Sequence, residues 1–116
     1  MANASDRKQI EAANRREKGA RMAELADVKH VMSEPRGRAV VARLLERTGT
    51  DAPTPFSSNA MTLARDVGVK SVGEWLLLEV RAACPEQELV MRREAAILAD
   101  RIARQDEVKD GHEHSN

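Results

Sequence analysis

An all-α fold is predicted by three properties of the sequence. One Trp, one Phe and no Tyr among 116 residues mean that any core is aliphatic. Four Pro and six Gly are too few for a protein of many tight turns, and alternating apolar and polar runs are absent. The stretch Ser71-Val72-Gly73-Glu74-Trp75-Leu76-Leu77-Leu78 reads as a helix start leading into a wholly apolar block. Ser71 and Glu74 have the spacing of a capping box, and a helix without a polar face belongs inside a fold. The predicted architecture is a small helical bundle around this central apolar helix, with long charged N- and C-terminal helical arms.

Ser5 or Asp6 is the expected N-cap of the first helix. Its stripe is weak through Ile10, Ala13, Ala20 and Met22, and Gly19 interrupts it at a cost of about 1 kcal/mol relative to Ala. Leu25, Val28, Val31 and Met32 then recur at helical spacing. Residues 1–24 are therefore expected to form a basic arm, with docking from Leu25 onward. Ser33 is the expected N-cap of a second helix opened by Pro35, whose missing N–H is tolerated in a first turn. Val40, Val41, Leu44 and Leu45 give that helix its apolar side, Arg36, Arg38, Arg43 and Arg47 populate the rest, and Gly49 stands where a C′ glycine belongs.

Thr50 to Ser58 reads as a loop, pinned to the core by Phe56. Ser58 or Asn59 caps a short helix (Ala60, Leu63, Ala64, Val67) that Gly68 ends. The central helix runs from Val72 to about Ala83, and Pro85 opens the last helix, with Glu86 and Glu88 in the turn where the helix dipole favours negative charge. Met91, Ala95, Leu98 and Ile102 hold that helix to the core before it turns mostly charged. From Pro85 to about Lys109 it would span about 36 Å at about 1.5 Å per residue. The core domain is expected over residues 25–102, with 103–116 an acidic helix end and a tail frayed from Gly111. Val40, Leu44, Leu45, Val72, Trp75, Leu76 and Leu78 are the expected core residues, and Trp75→Ala is expected to cost about 3–5 kcal/mol.

Net charge is +0, from 19 basic and 19 acidic residues, so no global field draws the chain to nucleic acid or lipid. The ends differ: residues 1–21 carry a net +3 and residues 106–116 a net −3. Opposite ends of opposite sign suit head-to-tail packing of copies, and equally two solvated tails. Cys84 is the single cysteine, which excludes an internal disulfide and fits a reducing compartment. No signal peptide is read, and no apolar run approaches the roughly 20 residues that cross a bilayer.

Catalytic constellations are equally scarce. His112-Glu113-His114 alternates like a chelate, but a zinc site needs three or four ligands held by a scaffold. Cys84 lacks a base and oxyanion donors in the pattern around it, and Glu86 and Glu88 would raise its pKa. No glycine-rich phosphate loop occurs. The chain is expected to be no enzyme and to hold no metal or cofactor. Arg7, Lys8, Arg15, Arg16, Arg36 and Arg38 are the candidate partner contacts. The arginines of the second helix also admit nucleic-acid binding, although Glu34 and Glu46 interleave with them. A core this small barely offsets chain entropy, so self-association or docking on a larger partner is expected.

Two blocks carry a resemblance. Val31-Met32-Ser33-Glu34-Pro35-Arg36-Gly37-Arg38 leads to Arg43-Leu44-Leu45-Glu46, and Ser71-Val72-Gly73-Glu74-Trp75-Leu76-Leu77-Leu78 is followed by Pro85 and Met91. Together, over about Asp27 to Ala95, they resemble a small family of virion proteins of short-tailed phages (podoviruses), typified by a product of a Bordetella podophage (a Bbp-type phage domain). The resemblance implies a non-enzymatic structural component of a tailed phage particle, made in the host bacterial cytoplasm and residing in the virion. It would be multicopy, docked at the portal vertex, the neck or the internal core. Its partners would be other copies of itself or larger phage structural proteins such as portal or core proteins, with no membrane. The alternative is a DNA-binding packaging or regulatory factor that uses the arginine-bearing second helix and the basic N-terminal arm.

Overall fold

The computed structural model describes residues 3–54 and 56–114, with the backbone alone described at 112–114. Four helices follow one another: α1 (Ala4–Met32), α2 (Pro35–Arg47), α3 (Ala60–Ala83) and α4 (Pro85–His114), with no strand among the described residues. The predicted all-α class is what the chain adopts.

Local chemistry sets most boundaries. Asn3, rather than Ser5 or Asp6, is the N-cap of α1, its Oδ1 accepting the Asp6 N–H at 2.9 Å. Ser33 closes α1 instead of opening α2: its hydroxyl donates to the His30 carbonyl at 2.6 Å. The residue before a proline is pushed into extended backbone, so Glu34 takes the N-cap position, with ψ of 136°. Cys84, before Pro85, likewise separates α3 from α4. Gly49 adopts φ of +66°, the left-handed turn that ends α2. Asn59 caps α3 through the N–H groups of Met61 and Thr62.

The break expected at Gly68–Ser71 does not exist, and α3 is continuous over 24 residues. A mid-helix glycine costs only about 1 kcal/mol, too little to divide a helix hydrogen-bonded on both sides. Ser71 has helical neighbours on either side and cannot serve as an N-cap, which requires non-helical backbone. For the same reason α1 passes unbroken through Gly19, joining the expected arm to the docked segment.

The core lies where the four helices converge. Met32 of α1, Val41 and Leu45 of α2, Leu77 and Val80 of α3, Cys84, and Met91 of α4 are buried, with Val28, Ala42, Leu76 and Ala83 packed against them. This corrects the expected core. Leu45 is buried and Leu76 half-buried, but Val40, Leu44, Val72, Trp75 and Leu78 are exposed, Trp75 at 59% and Leu78 at 62%. The physical reason is that the neighbours of α3 cover its Gly73/Leu77/Val80/Cys84 side and, through Arg21 of α1, Glu79, and leave the Val72/Trp75/Leu78 side open. Phe56 is 96% exposed and pins nothing, so that expectation is corrected too.

The molecule is an elongated plank of 86 × 40 × 15 Å. Its radius of gyration is 21.7 Å, against about 13 Å for a compact chain of 100 residues. The longest dimension nearly equals α1 and α4 laid end to end, about 44 and 45 Å, so the two terminal helices project from the core in opposite senses. Helix α4 continues to His114, and residues 115 and 116 lie outside the described residues. No described helix is long and apolar enough to cross a membrane.

Candidate interaction surface

Three polar clamps hold the helices around the core. Arg21, on the expected arm, donates Nη1 and Nη2 to the two carboxylate oxygens of Glu79 at 2.8 and 2.7 Å. This pairing holds the Glu79 carboxyl below its ordinary range. Arg38 donates to Glu94 of α4 and to the Met32 carbonyl. Arg92 donates to both oxygens of Asp51 and, with Arg81, to Glu88. The Arg81 donor, followed by that of Arg92, holds the Glu88 carboxyl down at about 2. Arg92 lowers Asp51 in the same way.

These clamps revise the expected partner contacts. Arg38 has only 11% of its side chain exposed and ties α2 to α4, so it is a fold residue. A carbonyl and a carboxylate both face it, which no reading of α2 alone could show. Arg7, Lys8, Arg15 and Arg16 are exposed along the projecting half of α1, and Arg36 is exposed at the start of α2. The structure does not bring the two sets together. Arg16 is about 24 Å from the end of α1 along the helix axis, and Arg7 farther still.

Two of the glycines noted above have contacts that the sequence did not reveal. A Cβ at Gly73 would collide with the Thr48 and Thr50 side chains, and one at Gly37 with the Val31 carbonyl. Thr48 and Thr50 share a hydrogen bond of 2.8 Å, and Thr48 also bonds back to the Leu44 carbonyl. The glycines therefore set how closely α2 approaches α1 and α3. Their only sequence signal is their place inside the two resembling blocks.

Apolar side chains also remain on the outside. A groove of about 520 Å³ between α2 and α4 is lined by Ala42, Met91, Ala95, Leu98 and Ile102, together with Arg43, Glu46 and Glu94. The side of α3 away from the core exposes Met61, Val67, Val72, Trp75 and Leu78. Such exposed apolar surface marks sites of protein contact.

Little of this favours covalent chemistry. Burial, and then the charge of Glu86, push the Cys84 thiol upward, which keeps it from the reactive thiolate form. No three His, Cys, Asp or Glu gather as metal ligands among the described residues. The side chains of His112, Glu113 and His114 lie outside them.

A family model described as Bbp19-like phage protein matches residues 28–93, inside the stretch 27–95 that carries the resemblance. No curated protein matches the sequence, and no solved structure does. The matched segment holds every buried core residue and both contact glycines, and it leaves the projecting parts of α1 and α4 outside.

Proposed function

The chain belongs to the family of Bbp19-like phage proteins, and from that premise we propose that it is a non-enzymatic structural component of a short-tailed phage particle. It is present in several copies, docked against larger phage proteins at the portal vertex, the neck or the internal core. The observation that carries this reading is surface area. The chain exposes 9434 Å², whereas a compact monomer of 12.8 kDa exposes about 6,300 Å². A protein that leaves half as much surface again uncovered, with apolar patches on it, is built to be covered by others. Mass spectrometry of purified particles should detect the protein at a fixed multiple of the portal protein. Its consistent absence from particles would end the proposal.

A second reading, DNA binding in packaging or regulation, is favoured by the exposure of Arg36, Arg43 and Arg47 on α2 and of the α1 cations. It requires duplex affinity that falls steeply with salt. An absence of binding at low salt would dispose of it.

A further inference from the structure

We propose that the outer side of α3 is a self-pairing surface, on which α3 of a second copy lies antiparallel about a two-fold axis between Ser71 and Val72. The inference rests on the reading of the chain as a multicopy component and names the surface that joins two copies. Helical spacing places Met61, Ala64, Val67, Gly68, Ser71, Val72, Trp75, Leu78 and Ala82 on the side of α3 opposite the buried Gly73, Leu77, Val80 and Cys84. In a chain that is 33% charged, the one charge within this strip is Glu79, which is buried and paired with Arg21 of α1. Met61, Val67, Val72, Trp75 and Leu78 are each at least half exposed.

The strip also sets large against small about its midpoint: Trp75 and Leu78 on one side stand against Gly68 and Ala64 on the other, and Met61 stands against Ala82. Antiparallel pairing about the Ser71–Val72 midpoint sets Trp75 over Gly68 of the second copy and Leu78 beside its Ala64. Each bulky residue then stands against a small one of the other copy, as close packing demands. Parallel pairing would set tryptophan on tryptophan and leave a gap at the glycines. Gly68 lies open on this strip: a Cβ there would meet nothing within 4 Å, so a second helix can approach its backbone closely. The strip is also long: from Met61 to Ala82 it runs about 32 Å along the helix at about 1.5 Å per residue.

The full-length chain tests this directly. Its molecular mass by sedimentation equilibrium should rise toward a dimer with concentration. Emission of Trp75, the only tryptophan, should shift to shorter wavelength in step. Under mild oxidation Ser71→Cys should cross-link two copies, being beside the axis, while Glu74→Cys, off the strip, should not. Gly68→Arg should keep the helix content, because a Cβ at this exposed position meets no atom of its own chain, and weaken association by about tenfold or more. A chain that is monomeric at every concentration, equal cross-linking at both positions, or association indifferent to Gly68→Arg would overturn the proposal. A monomer that is nevertheless found in particles would overturn this pairing alone and leave the structural-component reading standing. A dimer of this register in a protein missing from particles would do the reverse.

Discussion

Arg21 and Glu79, 58 positions apart, meet in a two-pronged ion pair that ties the middle of α1 to the C-terminal half of α3. Glu79 has only 8% of its side chain exposed, whereas Arg21 has 45%. Removing the arginine strands a sheltered carboxylate, which costs more than the pair contributes. Arg21→Ala should lower the melting temperature, while Arg16→Ala on the projecting half of α1 should leave it unchanged. The double replacement Arg21→Met with Glu79→Leu should recover much of the loss. Melts of the three variants and the wild type, recorded side by side, check this order.

Gly73 and Gly37 should not tolerate even a methyl group. Overpacking of this kind costs about 1–3 kcal/mol, and both Gly73→Ala and Gly37→Ala should show it in urea unfolding. Gly19, where a Cβ meets nothing, should respond in the opposite sense, because alanine favours a helix by about 1 kcal/mol over glycine.

Burial, not size, decides the worth of each large side chain. Met91 is 2% exposed, and Met91→Ala should cost about 2–5 kcal/mol. Trp75 is 59% exposed, so Trp75→Ala should cost under about 1 kcal/mol in the dilute single chain. Denaturant titration at low protein concentration separates the two.

Acid should loosen the clamp built on Glu88. Its folded pKa is lowered from 4.5 to about 2, so its contribution is fully present well above 4.5 and is lost as the pH falls from there toward 2. Asp51 shifts in the same direction. Melting temperatures recorded between neutral pH and about pH 2 should therefore fall on the acid limb. Glu88→Gln should flatten that limb while lowering the value at neutral pH.

The sequence announces features whose cause is local. Asn59 carries its own cap oxygen, Pro35 and Pro85 bring their restriction with them, and Gly49 stands one residue past the C-cap Thr48. Partners that come from far along the chain leave no such mark, which is why Arg38 reads as a free surface cation and Arg21 as part of a loose arm. The misreading of α3 has a different origin. Apolar residues on every side of a helix look the same in sequence whether they are covered by the same chain or left open. Val72, Trp75 and Leu78 are apolar as a central helix requires, but this fold supplies neighbours for only one of its sides. Gly37 and Gly73 were visible as members of two motifs, but their reason, the close approach of α1 and α2 respectively, exists only once the helices are placed.

The plank-like outline has a consequence for anyone weighing this protein in solution. Diffusion responds to length as well as mass, so a lone copy with α1 and α4 pointing apart tumbles slowly and elutes early from a sieving column. Calibrated against round standards, one molecule would pass for an assembly, and only a shape-independent mass, from light scattering or equilibrium sedimentation, can count the copies.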